Sequence, residues 1–351
     1  MPPILLVVPL LLVSCARPGP QGTPGYTVGG DTDTDTDADA DADADTDTDV
    51  DTDTIPDGPR LRVVGWNIQF TGSLGSDEYD ATVDILRRLD GDVVVINEVD
   101  DDESDELAAM AAELGYDEVL FPSYNTFGSQ RNAMMARVDV SLARVWSSAD
   151  LSGDSAAEDV TRLPVSMTVT PDGADPITIV GTHMKSGFED IDEFRRAVDA
   201  IRAAQAAVAG GSEQMLVLGD FNAELDEGFG SPSAFTSIPS GAPGDFYLGD
   251  DLYSQLSSGG IDNYVFDHLE EHGLYLVDAL QLDGRDATRE ESGRRLDYIY
   301  ASQAVLDAYP VAEIYDPRDE VGGLEKVGDV PAREAAETAS DHLPVVVEFS
   351  Y

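Results

Sequence analysis

Residues 215–222 read Met215-Leu216-Val217-Leu218-Gly219-Asp220-Phe221-Asn222. The four apolar residues are too few for a helix and stop at a glycine, so Met215 to Leu218 reads as a buried strand. Its ending is unusual, because Asp220 and Asn222 are polar residues placed where an apolar strand gives out. The same construction recurs on both sides of it. Short, mostly β-branched runs read as strands at Leu61–Ile68, Val93–Ile96, Asn132–Ala136, Leu163–Thr170, Ile177–His183, Leu296–Tyr300 and Leu343–Phe349. Four more of these segments carry polar residues of the same kind: Trp66-Asn67, Asn97-Glu98, Thr182-His183 and Leu296-Asp297-Tyr298. A sixth group, Ser340-Asp341-His342, immediately precedes the last strand. Helical periods lie between them at Tyr79–Leu89, Ser104–Leu114 and Ile191–Val208. The last has apolar residues at 194, 197, 198, 201, 204 and 208, one face of a helix. The expectation is an α/β protein with two sheets and outer helices. No Pro/Gly/Ser linker divides residues 60–351 into two cores. Residues 228–260 are rich in Gly, Ser and Pro and read as a long active-face loop or an insertion.

In α/β proteins ligands collect beyond strand ends, so six polar sets arriving at one edge can form one site. Glu98, Asp220 and Asp341, with Asn67 and Asn222, offer hard oxygen ligands suited to Mg²⁺ or Mn²⁺, with Ca²⁺ a third candidate. His183 and His342 offer proton transfer. Lys185, one of only two lysines, follows His183 by two residues and is expected on the same strand face as a phosphate contact. Arg131, at the start of a strand, is a second candidate.

In this combination and order the groups resemble the endonuclease/exonuclease/phosphatase superfamily, over about residues 60–351. His183-Met184-Lys185-Ser186, followed by Arg195-Arg196 on the next helix, is most similar to its bacterial extracellular nuclease-like branch. The resemblance implies a four-layer α/β/β/α sandwich with two mixed β-sheets, and in-line attack of water on a phosphoester. It implies that His342 is the general base, oriented by Asp297, and that Glu98 is the principal metal ligand with Asn67 beside it. Asp220 and Asp341 complete the metal site, Asn222 positions the phosphate or the water, and His183 donates to a phosphate oxygen or the leaving group. Deoxyribonuclease-type members pair the first histidine with a Glu; none is identified around Gln130 to Met134. The implied substrate is nucleic acid or a phosphorylated small molecule or lipid, acted on by a monomer.

A competing pattern is His268-Leu269-Glu270-Glu271-His272, which matches the H-x-x-E-H zinc-peptidase motif. Its acidic flanks and the nearby Gly273 favour an exposed helix end.

The charge is extreme, 70 acids against 20 bases for a net −50. Aspartate occupies every odd position from Asp31 to Asp53, yet residues 60–351 still carry −38. Such a surface lacks the basic footprint usual for a nucleic-acid binder. An acid-rich, lysine-poor composition also fits a protein soluble in high salt. Residues 1–18 read as an export signal, since ten apolar residues from Ile4 to Val13 are too short to span a bilayer. Leu12-Val13-Ser14-Cys15 resembles a lipoprotein box, making Cys15, the only cysteine, the lipidated mature N-terminus. Residues 19–59 read as a disordered acidic tether, and residues 60–351 as the endonuclease/exonuclease/phosphatase domain. The expected location is the outer membrane or cell surface, with the membrane met only through the lipid, or a secreted form if Cys15 is not lipidated.

Overall fold

The computed structural model describes residues 58–225, 237–256 and 264–351. Its elements begin with β1 (Arg60–Asn67), α1 (Asp77–Leu89), β2 (Val93–Val99), α2 (Ser104–Leu114), β3 (Glu118–Leu120), β4 (Arg131–Ala136), β5 (Val140–Val145), α3 (Ser148–Ser152), β6 (Val165–Val169) and β7 (Ile177–His183). There follow α4 (Asp190–Ala209), β8 (Gln214–Asp220), α5 (Leu252–Leu256), α6 (Tyr264–Glu271), β9 (Leu274–Val277), β10 (Asp297–Ser302), α7 (Gln303–Leu306), β11 (Val311–Ile314), α8 (Ala335–Ala339) and β12 (Val345–Ser350). The export signal with Cys15, and all of the acidic tether except its last two residues, lie outside the described residues.

The strands form two six-stranded sheets, ordered β11-β12-β1-β2-β4-β3 and β5-β6-β7-β8-β10-β9. Both are mixed: β1 runs parallel to β2, and β7 parallel to β8, while the other pairs are antiparallel. Each parallel pair needs a crossover, and a helix supplies it. For the first it is α1, whose start is fixed by the Ser76 hydroxyl accepting the Tyr79 N–H at 3.2 Å. Acids fill its first turn, and Arg87 and Arg88 its last, as the helix dipole favours. For the second pair the crossover is α4, which buries Phe194, Ala197, Val198 and Ile201.

Strands β1, β2, β7 and β8 are buried on both faces, which is why they read as nearly continuous apolar runs. Their inner faces meet in one core that joins Val63, Val93 and Val95 of the first sheet with Ile177, Leu216 and Leu218 of the second. The sheets approach closely at Gly181, where a Cβ would lie 2.6 Å from Val95 Cγ1. Beyond the first sheet the core takes in Tyr79, Ile85 and Leu86 of α1 and Ala335 and Ala336 of α8. Beyond the second, Ala200, Ala204 and Ala207 of α4 and Phe266 and Leu269 of α6 join Val180, Val217, Tyr298 and Tyr300. The expected α/β/β/α sandwich is what forms.

The described part of the Gly/Ser/Pro-rich segment is irregular up to the short helix α5, and it is packed. Residues 226–236 and 257–263 lie outside the described residues, but Phe246, Leu248 and Leu252 pack on Phe194, Val198 and Ile201 of α4. Arg202 of α4, fully buried, donates to Asp159 at 3.0 and 2.6 Å and to Asp251 at 2.7 Å. Irregularly spaced apolar residues among Gly and Pro hide such packing from a periodicity argument.

Candidate active site

The two parallel pairs send their C-terminal ends to one edge, and β10, antiparallel to β8, starts there with Asp297 opposite Asp220. All six polar groups converge at this edge, with Asp220 in the middle. Its Oδ2 lies 3.5 Å from Nε2 of His183 and 4.0 Å from Nε2 of His342. Glu98 Oε1 stands 3.6 Å from the same His183 nitrogen. Nδ1 of His342 lies 2.7 Å from Oδ2 of Asp297. Glu98, His183 and Asp220 thus form one group of metal-ligating atoms, and Asp220, Asp297 and His342 a second, with Asp220 common to both.

The local sequence explains these positions. Phe221 is buried at 5.5 Å from the Tyr298 ring and 6.2 Å from Phe266, so it anchors its segment beneath the second sheet. Asp220 and Asn222, on either side, belong to the site. Gly219 is required before them: at φ 138° a Cβ would lie 2.0 Å from the Thr182 carbonyl oxygen. Three non-glycine residues of the site hold the left-handed backbone conformation, Gln69 at φ 59°, Glu98 at 67° and Asn222 at 52°. Such conformations cost on the order of 1–3 kcal/mol each and persist where surrounding structure enforces them. For Glu98 the enforcing feature is a register irregularity in the β2–β4 ladder between Ile96 and Val99.

Hydrogen bonds lace the groups together. Trp66 Nε1 donates to the His342 carbonyl at 2.9 Å, and the Ser340 hydroxyl donates to the Asn67 carbonyl at 2.6 Å. Asn97 joins the sheets: its Oδ1 accepts the Asp220 N–H at 3.0 Å while its Nδ2 donates to Asn132. Thr288 Oγ1 accepts the N–H groups of Leu296 and Asp297.

The expected site residues are not all placed as the sequence suggested. Asn67, expected as a metal ligand, turns Nδ2 toward Glu98 at 3.1 Å and Asp220 at 3.0 Å, and its Oδ1 accepts the Gln69 N–H. It bridges the two acids as a donor. Asp341 stands on the outer side of His342, held by Arg289 at 2.8 Å, with Oδ1 3.9 Å from Nε2 of His342. Asn222 donates to the Met184 carbonyl at 3.1 Å. Lys185 lies beyond the end of β7, so strand alternation does not carry it to the side of His183; its Nζ pairs with Asp192 at 3.0 Å. Arg131 is placed outside the cluster, donating to the Pro122 carbonyl, pairing with Asp101 and stacking on Phe121.

Three residues escaped the sequence reading. Arg162 donates to Gln130 at 3.0 Å and the Met184 carbonyl at 3.3 Å. Burial lowers its pKa, while Glu98, Asp220 and Asp199 favour its charge. Gln130 passes the contact on, donating to Glu98 Oε2 at 2.7 Å. No Glu in this region serves as a partner for His183, whose Nδ1 is buried with no hydrogen-bond partner. Asp199 of α4 accepts the N–H of Thr161 at 2.7 Å and of Lys185 at 2.9 Å, tying the segments that carry Arg162 and His183 to one helix. The only sequence signal among these is Asp199, an acid among the apolar residues of α4.

The charges fit together. Burial, reinforced by Arg162, His342 and Lys185, holds His183 well below the ordinary imidazole pKa, so its ring is neutral. Burial also disfavours a charge on His342, but the carboxylates of Asp297, Asp220 and Asp341 outweigh it and raise the ring to about 10. Burial pushes Asp220 up to about 7, against the pull of His342. A buried carboxylate this hard to ionise calls for a cation, and Asp297 Oδ1 is a second buried oxygen without a partner. Two carboxylates and one neutral imidazole with donor atoms within 4.8 Å suit a divalent metal ion.

The H-x-x-E-H segment lies at the end of α6, with Glu270 and Glu271 exposed as expected but His268 not. His268 is fully buried, with Nδ1 3.1 Å from Glu271, and Nδ1 of His272 donates to the His268 carbonyl at 2.7 Å. Among the described residues it contributes no group of metal-ligating atoms.

A sequence model described as the Endonuclease/Exonuclease/phosphatase family matches residues 64–342. No curated protein matches the chain. The 3' phosphatase NExo from Neisseria, solved with product DNA hairpin, is 16% identical, with 83% of this chain and 100% of that one covered and a TM-score of 0.53. ANGEL2, a 2',3'-cyclic phosphatase, is 15% identical, with 84% and 96% covered and a TM-score of 0.52. The human Nocturnin catalytic domain with bound sulfate is 17% identical, with 84% and 95% covered and a TM-score of 0.50. At these identities the likeness is one of fold.

Proposed function

Because the chain belongs to the endonuclease/exonuclease/phosphatase family, we propose that it is a divalent-metal-dependent phosphoesterase, acting as an exported nuclease. The observation that carries the proposal is the sharing of Asp220 between the Glu98–His183 group and the Asp297–His342 pair. Glu98, Asp220 and neutral His183 would hold Mg²⁺ or Mn²⁺, which when bound polarises a phosphoryl oxygen and offsets developing negative charge. The carboxylates around His342 favour its protonated form; with Asp220 engaged by a cation that support weakens, and the neutral ring would take the proton of the attacking water at Nε2 while Asp297 holds it through Nδ1 and stabilises the imidazolium. Asn222 and Arg162, both bonded to the Met184 carbonyl, would meet the phosphate on the His183 side. Water attacks phosphorus in line, the bond to the leaving oxygen breaks, and that oxygen acquires a proton.

The −38 charge of residues 60–351 favours a second reading, hydrolysis of small or lipid phosphoesters, because a long polyanion needs several cationic contacts. Cys15 would anchor the chain to the outer membrane or cell surface, with residues 19–59 as the spacer. The test is turnover: purified protein with Mg²⁺ or Mn²⁺, at low and high salt, offered DNA, RNA, sphingomyelin and inositol phosphates. Folded, metal-supplied protein that hydrolyses none of them would overturn the reading.

A further inference from the structure

Two amides, and no cation, hold the carboxylate of Glu98. Asn67 Nδ2 reaches Oε1 at 3.1 Å, and Gln130 Nε2 reaches Oε2 at 2.7 Å. The ring of His183, 3.6 Å from Oε1, is neutral. Among the described residues no lysine or arginine pairs with this acid. The Arg162 guanidinium comes close enough to favour the charge on Glu98 and be favoured by it, yet its Nη2 stops one residue short, on Gln130 Oε1 at 3.0 Å.

That stop fixes the Gln130 amide. A guanidinium carries donors only, so the amide oxygen has to face Arg162 and the NH₂ group has to face Glu98. The amide cannot turn over while Arg162 is in place. Glu98 therefore receives a donor on a definite oxygen and keeps its full charge. A direct pair with Arg162 would be shorter and stronger, and it would set a permanent cation where an arriving one is needed.

Both ends of the chain are held from behind. Asn125 donates to the Gln130 carbonyl at 2.6 Å and accepts the Leu163 N–H at 3.1 Å. Asn132 donates to the Leu163 carbonyl at 3.0 Å, and Arg162 Nη1 is tied to the Met184 carbonyl at 3.3 Å. Gln130 immediately precedes β4 of one sheet, and Arg162 lies just ahead of β6 of the other. A guanidinium on the second sheet thus sets the direction of a carboxylate on the first.

Resting on the metal-dependent reading above, we propose that Gln130 is a positioning residue for the cation: oriented by Arg162, it aims Glu98 at the ion and keeps the guanidinium from taking the carboxylate for itself. Groups that hydrogen-bond a metal-ligating side chain from behind are worth about 10- to 100-fold in affinity. Gln130 and Arg162 should share one such effect, because the amide acts only in the orientation that Arg162 imposes.

Calorimetric titration of the full chain with Mn²⁺, after treatment with a chelator, tests this without any substrate. Asp220→Asn serves as the blank for ions held elsewhere on so acidic a protein. Gln130→Met, close in size but with no donor, should weaken binding at the site by about tenfold or more. The thermal midpoint of its metal-free form should change little, while the shift that Mn²⁺ produces shrinks. Arg162→Met should weaken binding by about threefold or more, and the double variant should bind about as Gln130→Met does, the mark of two residues acting as one unit. Binding by Gln130→Met within a factor of about two of the wild type overturns the proposal, as does a double variant whose loss is the product of the two single losses. Either result leaves the phosphoesterase reading standing if the wild type hydrolyses bis(p-nitrophenyl) phosphate with Mn²⁺. A wild type that titrates no differently from Asp220→Asn and leaves that ester untouched overturns both.

Discussion

Oδ2 of Asp297 lies 2.7 Å from Nδ1 of His342, and the opposite nitrogen of the same ring faces Asp220 at 4.0 Å. One buried carboxylate fixes the ring, and the other borders the place where a phosphate would react.

Asp297→Asn keeps the shape of this contact and removes its charge, so His342 loses the partner that favours its protonated form. Turnover is expected to fall by about two to four orders of magnitude. KM and the thermal midpoint should change little. Turnover within a factor of three of the wild type would remove Asp297 from the proposed mechanism.

Glu98, Asp220 and His183 predict a stability effect that needs no substrate. A divalent ion at a hundred times its dissociation constant adds about 2.7 kcal/mol, a shift of several degrees in the thermal midpoint. Calorimetry should show the shift with Mg²⁺ or Mn²⁺, its reversal by a chelator, and its loss in Asp220→Asn. A midpoint indifferent to metal would argue against this site.

Asp199 predicts a dependence on pH. Burial pushes its carboxyl up to about 6, above the ordinary 3.8. A carboxyl raised on folding contributes stability that is complete below the unfolded value and is lost as pH rises through the folded one. Asparagine does not titrate, so the stability of the wild type relative to Asp199→Asn should decline between pH 4 and 7, by on the order of 3 kcal/mol. Urea unfolding at the two pH values measures it. A difference that stays constant or grows would contradict the burial argument.

Gly219→Ala places a methyl 2.0 Å from the Thr182 carbonyl oxygen at a φ that L residues rarely adopt. Loss of soluble folded protein or of several kcal/mol of stability is expected. Gly211→Ala, with positive φ but nothing within 4 Å, should cost much less. Equal effects would mean that the steric contact is unimportant.

The central strands could be read from sequence because β1, β2, β7 and β8 are buried on both faces, which leaves little but apolar residues in them. Strand β5 shows the opposite case: its four middle residues are exposed, and Val-Ser-Leu-Ala-Arg-Val has neither a continuous nor a cleanly alternating pattern. The edge strands β3, β9 and β11 span three or four residues, below what periodicity resolves. In the site, Glu98, His183, Asp220, Asp297 and His342 stood out because polar residues at buried strand ends need a reason. Arg162 and Gln130 lie in loop-like sequence where polar residues are ordinary. The direction of Lys185 depended on where β7 stops, which two residues of sequence could not fix.

The bond from the Asp220 N–H to Asn97 has a temporal meaning. Glu98 is delivered by one sheet and Asp220 by the other, and neither βαβ unit holds both. A chain threaded unfolded through a membrane, as the proposed export signal implies, therefore carries no reactive centre in transit. The chemistry switches on only when the two halves have closed on each other, and a cation gripped from both sides would act as the latch.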